Sequence, residues 1–229
     1  FFMDGVGLGG ADPALNPFVT ARLPNLAALL GPDWFLAGRS RISTPRASLA
    51  PTDAILGMPG RPQSATGQAT ILTGRNVPAL VGEHYGPKPN EAVAAVIREG
   101  TLFSEVVAAG HAATLVTPYP EGYFQAVASG RRLLSAVPLA ARSAGLPLMD
   151  ADDLRAGRAV SPDFTGQGWR DFLGYGDMPV LTLSEAGERI ATTAAQFAFS
   201  FFEHWPTDQI GHRGSLEEAV AHLEAIDTV

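Results

Sequence analysis

Three short segments of this chain carry residues whose types and spacing suit chemistry. The first runs Gly60-Arg61-Pro62-Gln63-Ser64-Ala65-Thr66-Gly67-Gln68 and continues to Thr73-Gly74-Arg75-Asn76. Pro59-Gly60 and Pro62 stop any earlier regular structure. From Ser64 onward the residues are small and helix-tolerant, and Gly74 closes the run as a C-terminal cap would. A serine hydroxyl at such a junction lies beside unpaired backbone N–H groups and the positive end of a helix dipole. That is where a phosphate or another anion is stabilised. The plainer alternative is an ordinary N-cap serine.

The second segment is Phe1-Phe2-Met3-Asp4-Gly5-Val6-Gly7. Apolar residues followed by Asp-Gly read as the end of a buried strand, and in parallel α/β sheets ligands bind at such ends. Asp4 would then face a cleft. Gly5, Gly7 and Gly10 also match GxGxxG, but a dinucleotide fingerprint needs a helix opening straight after the glycines. Ala11-Asp12-Pro13 and Asn16-Pro17 follow instead, and that is loop chemistry.

The third segment runs from Phe197 to His212. Phe197 to Phe202 suits a buried strand, and Pro206 ends it. Asp208 and His212 follow with a spacing of four, which brings a carboxylate and an imidazole to one side of a helical turn. An oxygen and a nitrogen ligand together suit zinc, manganese or iron better than calcium. The alternative is a surface pair.

Together these segments resemble the alkaline phosphatase superfamily of two-metal enzymes, and within it the branch of cofactor-independent phosphoglycerate mutases and their relatives. In that branch an N-terminal strand ends in Asp-Gly, a serine opens a helix in a segment like Asn-Ser-x-x-Gly-His, and Asp-x-x-x-His follows a later strand. The matching positions here are Asp4, Ser64, and Asp208 with His212. The likeness covers roughly residues 1–118 and 181–229. Gln63 and Gln68 stand where a mutase has Asn and His.

The resemblance implies a mostly parallel sheet flanked by helices, an α/β alkaline phosphatase-like core. It implies two divalent metal ions, zinc or manganese, with Asp4 and Ser64 on one and Asp208 and His212 on the other. Ser64 would be the catalytic nucleophile, attacking phosphorus to give a phosphoserine intermediate. The reaction expected is that of a phosphatase, phosphodiesterase or phosphomutase on a small phosphorylated substrate, with a degenerate binding protein as the alternative. Further ligands, an Asp-His pair and a His, are expected beyond Val229. Phe1 within a strand and the amphipathic run Ser215 to Val229, with no strand after it, agree with that expectation.

Other polar residues divide by context. Arg75 and Arg46 could bind phosphate, and Arg75, directly after the serine helix, is the candidate for substrate binding. His84 reads as a structural histidine, His204 as a packing or capping residue, and His111 and His222 as surface positions. Asp53 is expected to order its own loop.

Composition sets the outer limits. A net charge of −7 gives no reason to expect a nucleic-acid partner. No apolar run approaches the ~18 residues of a membrane span, so no membrane partner and a cytoplasmic enzyme are expected. The chain has no cysteine, so a metal must be held by oxygen and nitrogen. Oligomeric state is left open.

The elements that must position these residues read as α/β. Helices are predicted over Pro24 to Leu30, Glu91 to Glu99 after Asn90, Thr101 to Ala109, and Glu185 to Gln196 after Ser184. Another follows Ser215, whose capping-box partner is Glu218. Ala112 to Val116 reads as a short buried strand, and Arg39 to Asp53 as loop or edge strand. Residues 119–180, aromatic and rich in Gly and Pro, read as a small cap inserted into a core of 1–118 and 181–229.

Overall fold

The structure is a computed structural model and describes residues 1–32 and 34–229. The first third of the chain holds β1 (Phe2–Met3), α1 (Pro17–Thr20), α2 (Pro24–Leu30), β2 (Ile42–Ser43) and β3 (Ser48–Leu49). Then come α3 (Ser64–Thr73), α4 (Val77–Val81), α5 (Glu91–Glu99), α6 (Leu102–Ala108) and β4 (Ala113–Leu115). The middle carries α7 (Glu121–Ala128), α8 (Ala136–Ser143), α9 (Ala151–Arg155) and α10 (Gln167–Leu173). The chain finishes with α11 (Leu183–Ala194), β5 (Phe199–Phe201), β6 (Glu203–His204), α12 (Pro206–Arg213) and α13 (Leu216–Thr228).

The architecture is α/β with small sheets. β1 pairs with β6 and β4 with β5, both in parallel, and β2 and β3 form an antiparallel hairpin. Only Phe202 separates β5 from β6. Carbonyls alternate in direction along extended chain. The Phe201 carbonyl therefore accepts from Val116 N at 2.8 Å, while those of Phe202 and His204 accept from Phe2 N and Asp4 N at 2.9 and 3.0 Å. The segment 199–204 thus holds β4 and β1 side by side in the same direction. Their C-terminal ends, at Thr117 and Asp4, come out together, which is where ligands collect in parallel α/β units.

The helices follow from local chemistry. α3 buries Ala65, Gln68, Ala69 and Leu72, a face of spacing i, i+3, i+4, i+7. It stops at Gly74 in the left-handed conformation. Asn90 caps α5 by accepting from Val93 N, and α13 opens on the Ser215–Glu218 capping box. α11 begins earlier than the Ser184 reading expects. Thr182 is its cap, because the Glu185 carboxylate returns to Thr182 N at 2.8 Å.

The principal core joins Leu72 of α3, Val93 and Ile97 of α5, Phe103 of α6, Leu115 of β4 and Phe201 of β5. Each large side chain buried there contributes roughly 1.5–3 kcal/mol. Ala136, Val137, Ala140 and Ala141 of α8 belong to the same cluster. The segment 119–180 therefore does not lie wholly above the core, since its α8 packs directly on α3 and α5. α9 and α10 enclose a small cluster of their own around Leu154, Trp169 and Met178. Among the described residues no helix is long and apolar enough to cross a membrane.

Two histidines behave differently from the surface positions expected of one of them. His204 is fully buried, stacked 4.3 Å from Phe164, and His222 of α13 reaches it with an Nε2···Nε2 distance of 2.8 Å. His222 is thus an interior-facing contact, because α13 turns that side toward β6.

Candidate functional site

Asp4 is the first residue beyond β1, so its carboxylate leaves the sheet at the converging strand ends. Its Oδ1 accepts from Gly5 N at 3.1 Å and its Oδ2 from Gln68 Nε2 at 3.1 Å. The Ser64 side chain faces the same carboxyl closely enough to lower its pKa. Ser64 and Gln68 are one turn apart on α3, which places both on the side facing Asp4. Gln63, not Ser64, is the N-cap of α3, and it makes no side-chain capping bond. The Ser64 hydroxyl is turned to a carboxylate rather than spent on its own helix.

Asp208 sits in the first turn of α12. Pro206 at the start of this helix has the fixed φ that favours that position. The helix end lies against the chain after β1: Thr207 Oγ1 donates to the Asp4 carbonyl at 2.7 Å. A Cβ added at Gly5 would come within 2.8 Å of Asp208 Cα. His212 Nε2 lies 3.4 Å from Asp208 Oδ1, with the two side chains 53% and 33% exposed. The i, i+4 spacing read from the sequence therefore forms a pair on a real helix.

Electrostatics mark Asp4 as a strained carboxylate. Burial raises its pKa above the ordinary value, and the charge of Asp208 raises it further, while the bonds from Ser64, Gly5 and Gln68 pull it back. Glu203 is the residue that motif reading misses. It is buried in β6, and burial together with the Asp4 charge pushes its pKa up to about 7. Tyr119 Oη donates to Glu203 Oε2 at 3.4 Å, and Thr117 Oγ1 accepts from Glu203 N at 2.9 Å. The only sequence signal was a charged residue inside the apolar run Phe201-Phe202-Glu203-His204.

Arg75 lies elsewhere. It follows the C-terminal cap of α3, the opposite end from Ser64, and pairs with Glu99. A helix of ten residues separates it from the hydroxyl, so the structure does not bring it to Asp4 and Ser64. His84 and Asp53 take the structural roles read for them. His84 Nε2 contacts the Met58 carbonyl at 3.2 Å, and Asp53 Oδ1 accepts from Ile55 N at 2.9 Å.

The donors around Asp4 fit a single cation in part. Asp208 brings a second carboxylate, whose charge raises the pKa of Asp4, Ser64 adds a hydroxyl, and Gln68 Oε1 is buried with no hydrogen-bond partner. A complete two-metal donor set does not converge: among the described residues no three His, Cys, Asp or Glu side chains form such a group. Comparison of the chain with protein-family models, with curated proteins and with solved structures finds no match.

Proposed function

We propose that this chain is a metal-dependent phosphoryl-transfer enzyme of the alkaline phosphatase type, acting through Ser64 on a small phosphorylated substrate in the cytoplasm. The observation that carries the reading is the Ser64 hydroxyl held against the Asp4 carboxyl at the end of a parallel strand, with Asp208 alongside. Asp4 and Ser64 would hold one divalent ion, zinc or manganese, and Asp208 with His212 a second. Such ions supply Lewis-acid polarisation of phosphoryl oxygens and lower the pKa of a bound hydroxyl.

The chain's own groups do the rest. Ser64 Oγ attacks phosphorus, its O–P bond forms as the bond to the leaving oxygen breaks, and its proton passes to water. The N-terminus of α3 faces the developing negative charge. Water as the second acceptor makes a phosphatase or phosphodiesterase, and a substrate hydroxyl makes a mutase.

The test combines metal content by elemental mass spectrometry with hydrolysis of p-nitrophenyl phosphate in added manganese or zinc. Metal-dependent turnover is expected, and Ser64→Ala is expected to lower it by at least a thousandfold and to abolish a trapped phosphoserine. Undiminished turnover in that variant overturns the assignment. A second reading has one observation in its favour: Gln68, where the mutases carry His, occupies Asp4 Oδ2 with its amide. On that reading the chain binds a phosphorylated metabolite without turnover, and the same assay shows phosphate binding with no hydrolysis in any divalent ion.

A further inference from the structure

We propose that the cavity beside Asp4, between the glycine-rich turn after β1 and the helices α12 and α13, receives the apolar part of the substrate. The preferred substrates are then phosphate esters of small hydrophobic alcohols. This inference rests on the phosphoryl-transfer reading above. The cavity has a volume of about 340 Å³. An apolar cavity of roughly 150 Å³ already holds benzene, so a short alkyl chain or a ring has room.

The cavity adjoins the site through two residues of its wall. Gly5 lines it and donates its N–H to Asp4 Oδ1, and Thr207 lines it and donates its hydroxyl to the Asp4 carbonyl. Several polar atoms in its wall are engaged elsewhere, and of the Asp12 carboxylate that also lines it Oδ1 accepts from Ala14 N at 2.9 Å. Asn16 Nδ2 donates to the Gly10 carbonyl at 2.7 Å, its Oδ1 accepts from Phe18 N at 3.1 Å, and His222 Nε2 faces His204. Most of what the wall offers a ligand is carbon, from residues such as Phe18, Ile210 and Leu223. Such a wall favours carbon over water.

Glycine keeps the space open. A Cβ at Gly7 or Gly211 would meet no atom within 4 Å, and neither residue has a positive φ. Side chains placed there enter free volume without straining the backbone. Gly211 lies inside α12, where another residue is a better helix former than glycine.

The test compares hexyl phosphate with inorganic phosphate by titration calorimetry, on the full chain with manganese chloride, for wild type, Gly211→Leu and Gly7→Leu. Each methylene buried multiplies affinity by about four. Wild type is expected to bind hexyl phosphate at least tenfold more tightly than phosphate, and each variant to bring that ratio close to one. A wild-type ratio near one, or a ratio unmoved by both variants, overturns the cavity assignment and leaves the phosphoryl-transfer reading standing. Failure of the wild-type chain to bind either compound overturns both.

Discussion

Gly5 and Glu203 show how single residues set the state of the site. Gly5 has φ +72°, in the left-handed region, and its missing Cβ leaves the space that Asp208 occupies. Gly5→Ala combines a left-handed penalty with a clash against backbone. It is expected to cost about 2 kcal/mol or more in denaturant unfolding, and to move Asp208 away from Asp4. Glu203 makes the opposite kind of prediction, one of pH. Its folded pKa of about 7 lies above the ordinary 4.5, so the folded chain binds the extra proton between those values. Stability from this group is present below the lower value and is lost as pH rises through about 7. His204, pulled down to about 4 by burial and by His222, contributes with the opposite slope between about 4 and 6.5. The measurement is therefore a difference. Glu203→Gln should gain stability relative to wild type as pH rises from 5 to 8, read as the gap between two Tm profiles, and parallel profiles would refute the buried-acid account.

At the scale of elements, several helices here state their own ends, and α2 does not. Its N-cap, Leu23, has no side chain able to accept a hydrogen bond. The first turn of α2 is satisfied from the other end of the chain, where Asp227 of α13 accepts from Asn25 N at 3.0 Å and from Leu26 N at 2.8 Å. A carboxylate there also complements the helix dipole. Asp227→Ala removes both acceptors from a buried position. It should destabilise by about 2 kcal/mol in denaturant unfolding, more than removal of an exposed cap. Asp227→Asn, which keeps one acceptor oxygen, should recover part of that loss. α5 can be read from sequence because cap, apolar face and stop all lie within about a dozen residues. The cap of α2 cannot, because its acceptor is some two hundred residues away along the chain.

For the molecule as a whole, α13 ties the start of the chain to its later half. Ile226 packs against two hydrophobic clusters, one around Val160, Phe164 and Phe202 and one around Phe18, Leu23 and Trp34. Ile226→Ala should cost about 2 kcal/mol and lower both regions together. Near-ultraviolet circular dichroism, which sees Trp34, and hydrogen exchange around Phe202 should report the same midpoint. Separate transitions would show that the two clusters melt independently.

What the sequence determined by itself was local: the helix from Ser64 to a glycine stop, the Asn90 and Ser215 caps, the strand before Pro206 and the i, i+4 placement of Asp208 and His212. Each depends on groups a few residues apart, where backbone geometry alone decides the contact. It also singled out Asp4, Ser64 and Asp208, three of the groups the fold gathers. Tertiary structure decided what those groups meet. It turned the Ser64 hydroxyl to Asp4 instead of its own helix, paired Arg75 with Glu99, and set α8 into the core rather than in a cap. It brought buried Glu203 beside Asp4 and paired His222 with His204. These outcomes depend on the path of the chain between residues far apart in sequence, and no local pattern of charge or hydropathy encodes that path.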